Sequence, residues 1–194
     1  MGSADYDLIV IGSGPAGHHA AIQAAKLGRR VAVVERTEAV GGVCINTGAI
    51  PSKSLREAVL SLSGYREQLF SGWRTQRRPT MSELLRRCNW VVQRERDVYH
   101  AHFARNGVDV VQGVARFVSP NEIEVFRSGG TLRFTAESFV IAVGTKPAAS
   151  EQFPVDGRRI VDADSILQLA EVPPTMAVVG AGVIGVEYAC MFAA

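Results

Sequence analysis

The sequence predicts an α/β fold: a parallel sheet with helices packed on it, an inserted antiparallel β-meander, and the start of a second domain of the same kind. Three observations predict it. Asp7–Ile11 is a short apolar run that enters a glycine cluster and an alanine-rich stretch, and a second apolar run follows at Val31–Glu35. From Val108 the apolar period changes from that of a helix to two. The glycine pattern of residues 12–17 then returns at residues 180–185.

The composition frames this reading. The 194 residues are 47% hydrophobic and 21% charged, which supplies enough apolar material for a sizeable core. A net charge of +2 is too small to suggest a nucleic-acid partner. The arginine pairs Arg77-Arg78 and Arg86-Arg87 are read as solvated helix faces. Cys44, Cys88 and Cys190 make neither a metal spacing nor a disulfide framework, which fits a reducing cytoplasm. Asp5 and Asp7 before the first apolar run read against a signal peptide, and no apolar run is long enough to span a membrane.

The elements follow in order. Asp7–Ile11 reads as a buried parallel strand, and Gly12-Ser13-Gly14-Pro15-Ala16-Gly17 opens a helix that Gly28 stops. Val31–Glu35 completes a β-α-β unit, with Glu35 eighteen positions after Gly17. That context is what a dinucleotide fingerprint requires. Gly12 allows the tight turn, Gly14 lets the backbone approach a pyrophosphate, and Gly17 lets the helix lie near the sheet. The helix N-terminus offers unpaired N–H groups to phosphates, and Glu35 is placed to accept hydrogen bonds from a ribose. His18 and His19 are read as surface or partly buried helix residues. Gly41–Lys53 reads as a loop running into a helix that ends near Leu62, and residues 64–79 read as irregular.

Thr80 starts a long helix, with Glu83 completing a capping box. Leu84, Leu85, Cys88, Val91, Val92, Val98, Tyr99 and Phe103 form its apolar stripe, and Asn106-Gly107 stops it. Cys88 is expected in the core, Trp90 is expected to pack, and His100 and His102 are expected on different faces. Val108–Val111, Val114–Val118, Ile123–Phe126 and Thr131–Phe134 read as the strands of a meander. Ser138–Val143 reads as a further buried strand that ends at Gly144-Thr145-Lys146-Pro147. Asp162–Leu169 suggests a short capped helix. Ala177–Val179 reads as a strand leading into Gly180-Ala181-Gly182-Val183-Ile184-Gly185 and a second helix, inside which the sequence stops. Two fingerprints in one chain imply that two dinucleotides meet. The expected division is residues 1–148 for the first nucleotide domain and 149–194 for the beginning of the second.

Gly12–Gly17, Glu35, Gly41–Lys53, Ile141–Pro147 and Gly180–Glu187 occur in the order found in the glutathione reductase and dihydrolipoamide dehydrogenase family. The chain therefore resembles the FAD-dependent class I pyridine nucleotide-disulfide oxidoreductases over nearly its whole length. The resemblance implies a Rossmann-like FAD-binding domain followed by the start of a Rossmann-like NAD(P)-binding domain. It implies FAD contacts from Gly12, Ser13, Gly14, Pro15, Ala16, Gly17, Glu35, Arg36, Gly41, Gly42, Val43, Cys44, Lys53, Val114, Ala115, Ala142, Gly144 and Thr145. It assigns the nicotinamide nucleotide to Gly180, Gly182, Ile184 and Gly185. It also implies that Lys53, paired with Glu187, lies near the flavin N5, and that Cys44 faces the flavin.

One position departs from the family's dithiol pattern. Where the second redox cysteine is expected, five positions after Cys44, the chain has Ala49. Disulfide exchange needs a thiolate to attack and a second thiol to resolve, and alanine does neither. Within the family the pattern looks closest to the soluble, Si-specific pyridine nucleotide transhydrogenases, which pass a hydride between NADPH and NAD⁺ through the flavin. Two alternatives stay open: a dihydrolipoamide dehydrogenase-like reductase that lost its second cysteine, and a non-catalytic nucleotide-binding fragment. Cys44 is then either a small residue packed near the flavin or a reactive thiol at a helix N-terminus. The resemblance implies a homo-oligomeric, cytoplasmic full-length protein. The chain alone reads as an N-terminal piece that is not expected to turn over and is expected to hold FAD weakly.

Overall fold

The computed structural model describes residues 4–62, 64, 79–148 and 150–194. Arg77-Arg78 and nearly all of the stretch expected to be irregular lie outside them. The chain forms two compact units: Met1–Asn46 with Arg94–Thr145, and Thr47–Gln93 with Lys146–Ala194.

The first unit is built on one six-stranded sheet. Its elements are β1 (Tyr6–Ile11), α1 (Pro15–Lys26), β2 (Val31–Glu35), the five-residue α2 (Gly42–Asn46), β3 (Asp109–Gln112), β4 (Val114–Ser119), β5 (Glu122–Arg127) and β6 (Gly130–Ile141). The strand order is β3-β2-β1-β6-β5-β4. The β3-β2-β1-β6 portion is parallel, and β6-β5-β4 is antiparallel. This is the expected α/β fold.

The continuous apolar runs of β1 and β2 are explained by burial on both faces. On one face Val10, Val31 and Val33 pack with Ala21, Val40, Phe103 and Val108. On the other, Ile9, Ala32 and Val34 pack with Ile123, Val125 and Ala136 of the antiparallel strands.

Two strand expectations change. Val108–Val111 was expected in the meander, but β3 pairs with β2 in the parallel ladder, from Ala32↔Asp109 to Glu35↔Gln112. Gly113 causes the break between β3 and β4. Its φ is +148, and a side chain there would sit 2.6 Å from the Phe126 carbonyl. Thr131–Phe134 and Ser138–Val143 were expected as separate strands, but they lie in the single twelve-residue β6. Residues 130–135 of β6 pair with β5, and 136–141 pair with β1. The polar Thr135 fits mid-strand because Asp5 satisfies it: Thr135 N and Oγ1 donate to Asp5 Oδ2 at 2.8 and 2.9 Å.

The second unit is helical among its described residues. It holds α3 (Ala49–Leu62), a 3₁₀ turn at Ser165–Gln168 and α5 (Val183–Ala193), together with the start of α4 (Met81–Arg105). From Arg94 on, α4 belongs to the first unit. The expected capping box starts α4: Thr80 N donates to Glu83 Oε2 at 2.9 Å, and Glu83 N donates to Thr80 Oγ1 at 3.3 Å. Leu55, Met81, Leu84, Cys88, Ile166, Tyr188 and Met191 form the core of this unit.

Cys88 is buried as expected, and burial pushes its thiol up to about 11. Trp90 is not packed as expected but is 64% exposed. It shares a helix face with Arg86 and Arg87, off the Leu84–Cys88–Val92 stripe. The short helix expected over Asp162–Leu169 contracts to the 3₁₀ turn. Asp162 Oδ1 caps it, accepting from Ser165 N at 2.8 Å and from Ser165 Oγ at 2.6 Å. The strand expected at Ala177–Val179 is not formed: a parallel strand exists only within a ladder, and among the described residues none pairs with it.

Candidate functional site

The first fingerprint is a tight turn between β1 and α1. Gly12 has φ +104, and a side chain on it would lie 2.3 Å from the Ala142 carbonyl. Gly14 is the N-cap of α1 at φ −63 and ψ 179, and Pro15 follows inside the first turn. Gly17 faces back onto the turn, and a Cβ there would lie 1.9 Å from Gly12 O. Gly14 differs from both: a Cβ on it meets nothing nearer than Gly42 Cα at 3.8 Å. Gly12 and Gly17 thus serve packing, whereas the space at Gly14 is open. The first turn of α1 carries no acidic residue, so its N–H groups and dipole are left for an anion.

Glu35 ends β2 and is buried. Its Oε2 accepts from Ser13 N at 3.0 Å and Ser13 Oγ at 2.6 Å. Its Oε1 accepts from Thr37 N and Thr37 Oγ1, both at 3.0 Å. Burial alone would raise its pKa, but these four bonds outweigh it and hold the carboxyl below its ordinary range. Ser13, itself fully buried, accepts at Oγ from Gly41 N at 3.0 Å. Ser13 therefore ties the glycine turn to Glu35 and to the start of the next motif.

Gly41 and Gly42 have φ +102 and +59, and a Cβ on Gly42 would be 2.9 Å from Gly14 Cα. Past them the chain is not the expected loop. Gly42–Asn46 and Ala49–Leu62 are helical, leaving Thr47-Gly48 between them. Asn46 Nδ2 closes the short helix by donating to Val40 O at 3.1 Å and Gly42 O at 2.8 Å. Arg96 Nε donates to Asn46 Oδ1 at 2.7 Å. Pro51 fits because the first turn of α3 leaves N–H groups without helical partners anyway.

The structure thus brings together Gly12–Gly17, Glu35, Gly41, Gly42 and Ala142. Ala142 N donates to Ile11 O at 2.8 Å. Gly113 N donates to Glu35 O at 2.8 Å, which sets Val114 and Ala115 just beyond the end of β2. Arg36, Val43, Gly144 and Thr145 are exposed, and Cys44 is half-buried in α2. Lys53 and Ala49 on α3 and Glu187 on α5 belong to the other unit. Among the described residues Lys53 and Glu187 form no ion pair with each other.

The second fingerprint repeats the first turn. Gly180 has φ +115, Gly182 is the N-cap of α5 at φ −73 and ψ 170, and a Cβ on Gly185 would be 2.6 Å from Gly180 O. Val186 N donates to Gly182 O, as His18 N does to Gly14 O. Ile184 beside it is exposed.

Three features escaped the sequence reading. Thr37 supplies half the bonds to Glu35; a hydroxyl residue two places after the strand-ending acid was the available signal. Gly113 sets the β3–β4 break. His18 is buried at 5% exposure, stacked on Tyr99 at 4.0 Å, and its Nε2 lies 3.3 Å from His102 Nδ1. Its Nδ1 is buried without a hydrogen-bond partner among the described residues. Burial, then His102 and His19, push its pKa down to about 4. Among the described residues no cluster could hold a metal ion, and no helix is long and apolar enough to cross a membrane.

Comparison with known proteins agrees with this geometry. Residues 6–194 match the pyridine nucleotide-disulphide oxidoreductase family. The chain is 48% identical over 196 residues to a soluble pyridine nucleotide transhydrogenase of Mycobacterium bovis, covering 98% of this chain and 42% of that protein. It is 41% identical over 192 residues to one of Erwinia tasmaniensis, covering 98% of this chain and 41% of the relative. The solved HOCl-induced flavoprotein disulfide reductase RclA of Escherichia coli, as its Cu(II) complex, superposes with a TM-score of 0.80 at 31% identity. That match covers 98% of this chain and 40% of RclA. The chain spans about two fifths of the length of these relatives and belongs to the pyridine nucleotide-disulphide oxidoreductase family.

Proposed function

We propose that the whole protein is an FAD-dependent pyridine nucleotide transhydrogenase, and that this chain carries its flavin-nucleotide turn and the start of its nicotinamide-nucleotide turn. The carrying observation is the repeated glycine turn at Gly12–Gly17 and Gly180–Gly185, each capping a helix N-terminus, in a chain with Ala49 five positions after the lone Cys44 of the motif. The transhydrogenase names of the relatives support the same reading.

The residues fit the cofactor. Gly14 leaves room where a pyrophosphate meets the helix N-terminus, and Glu35, Ser13 and Thr37 form a polar rim beside it. Bound FAD would supply the hydride chemistry, taking a hydride from one nicotinamide and giving it to the other. The chain's own residues bind and orient. The glycine turns hold phosphates through backbone N–H groups. Lys53 is proposed as a cation beside the flavin; Glu187, the expected partner, forms no ion pair with it among the described residues. Cys44 is proposed as a small packing residue, because Ala49 leaves it no resolving thiol.

In this reading residues 1–148 form the first flavin segment and 149–194 begin the nicotinamide domain. A homo-oligomer in the cytoplasm, with nicotinamide nucleotides as its partners, completes the proposal. The test is hydride transfer from NADPH to an NAD⁺ analogue by the whole protein, followed spectroscopically. Rapid reduction of lipoamide or glutathione disulfide would overturn it.

A further inference from the structure

The Glu35 carboxylate already accepts four hydrogen bonds. A carboxylate has about four lone-pair directions to accept hydrogen bonds. Ser13 N, Ser13 Oγ, Thr37 N and Thr37 Oγ1 fill them. A ribose hydroxyl can donate to Glu35 only if one of these donors leaves.

The four are not equally free to do so. The two backbone N–H groups are fixed by the chain. Ser13 Oγ is fully buried and accepts from Gly41 N while donating to Glu35, so turning it away costs two bonds. Thr37 is exposed, and its hydroxyl has a second acceptor in reach. Thr37 Oγ1 lies 3.0 Å from Glu35 Oε1 and 2.9 Å from Ala39 O. One hydroxyl hydrogen serves one of these acceptors at a time.

We propose that Thr37 is a positioning residue for the adenosine ribose: its hydroxyl occupies Glu35 Oε1 in the free protein and turns to Ala39 O when a ribose hydroxyl takes its place. This rests on the dinucleotide reading above and adds a competing donor that sets the affinity. Thr37 keeps the buried carboxylate satisfied without ligand and yields it at the cost of a bond rotation.

The proposal gives an unusual sign. Thr37→Val removes a charge-assisted bond from the free state but only a neutral one, to Ala39 O, from the bound state. The variant therefore binds ADP more tightly than the parent, by about threefold to tenfold. Thr37→Ser keeps the hydroxyl and keeps the parent affinity. Neither change alters the affinity for 2′,3′-dideoxy-ADP, which has no hydroxyl to exchange.

The experiment is calorimetric titration of the flavin-free protein and both variants with ADP and with 2′,3′-dideoxy-ADP. Tighter ADP binding by Thr37→Val, with dideoxy-ADP unmoved, supports the exchange. Weaker ADP binding by Thr37→Val, or an equal shift for both ligands, overturns it and leaves the dinucleotide reading standing. A parent protein that binds neither ADP nor FAD overturns both.

Discussion

Gly14 and Gly17 lie three residues apart in one turn, and the structure gives them opposite tasks. A methyl on Gly17 would sit 1.9 Å from Gly12 O, against ordinary contact that starts at 3.4 Å. The shortfall is about 1.5 Å, against backbone that cannot rotate away as a side chain could. Overpacking of this kind costs about 3 kcal/mol, and the better helix propensity of alanine returns about 1 kcal/mol. Gly17→Ala should therefore lose about 2 kcal/mol of stability. Gly14 already has alanine-compatible angles, φ −63 and ψ 179, and nothing lies within 3.8 Å of its missing Cβ. Gly14→Ala should cost less than about 1 kcal/mol, mostly from a poorer N-cap. Its methyl instead fills the space a pyrophosphate needs, so FAD affinity should drop by at least about tenfold. Urea unfolding of the flavin-free variants, together with flavin fluorescence titration, separates the two effects. Gly17→Ala unfolding at the parent's urea concentration, or Gly14→Ala proving the less stable of the pair, would refute this division of tasks between the two glycines.

Three further outcomes are expected. Folded His18 stays neutral down to about pH 4, while the unfolded imidazole takes its proton near the ordinary histidine value of about 6.5, so the unfolded chain binds more protons in that window and stability falls as pH falls through it. The loss approaches about 3 kcal/mol; His18→Phe should show a shallower decline in urea midpoint between pH 7 and 4.5, and a parallel decline would count against it. In the native chain a thiol reagent such as Ellman's should modify exposed Cys190 and half-buried Cys44 quickly and Cys88 only on unfolding, because burial holds that thiol near 11. Thr80→Ala removes the hydroxyl half of the capping box and should lower stability by about 1 kcal/mol in chemical denaturation, with Thr80→Ser recovering most of it.

What could be read from the sequence was local and periodic. The β1-α1-β2 unit follows from apolar runs between glycines, and the start of α4 follows from Thr80 and Glu83, whose partners are three residues away. What could not be read depended on distant partners. Thr135 looks like a strand break until Asp5 is found beside it; the absence of Gly and Pro from 131–143 was the better signal. Trp90 looks like core by size, but its helix face is that of Arg86 and Arg87. Asn46 shows its part in closing a helix only once Val40 O and Gly42 O are placed around it. Glu35 was legible as the acid that ends β2 beside the glycine turn. Its saturation by Ser13 and Thr37 was not, because hydrogen bonds between separate loops leave no period in the chain.

The twelve residues of β6 have a consequence for how the first unit assembles. The β5–β6 hairpin closes through a short local turn at Ser128-Gly129 and can form early. Its other end meets β1 across a separation of 130 residues, as the Asp5–Thr135 bonds record. The glycine turn rests on that later ladder, because Gly12 packs on Ala142, just past the end of β6. A nascent chain thus completes its glycine turn only after the meander has been made and has added its last strand to β1. Lesions in β6 should slow folding of the turn itself, although no residue of β6 lies in it.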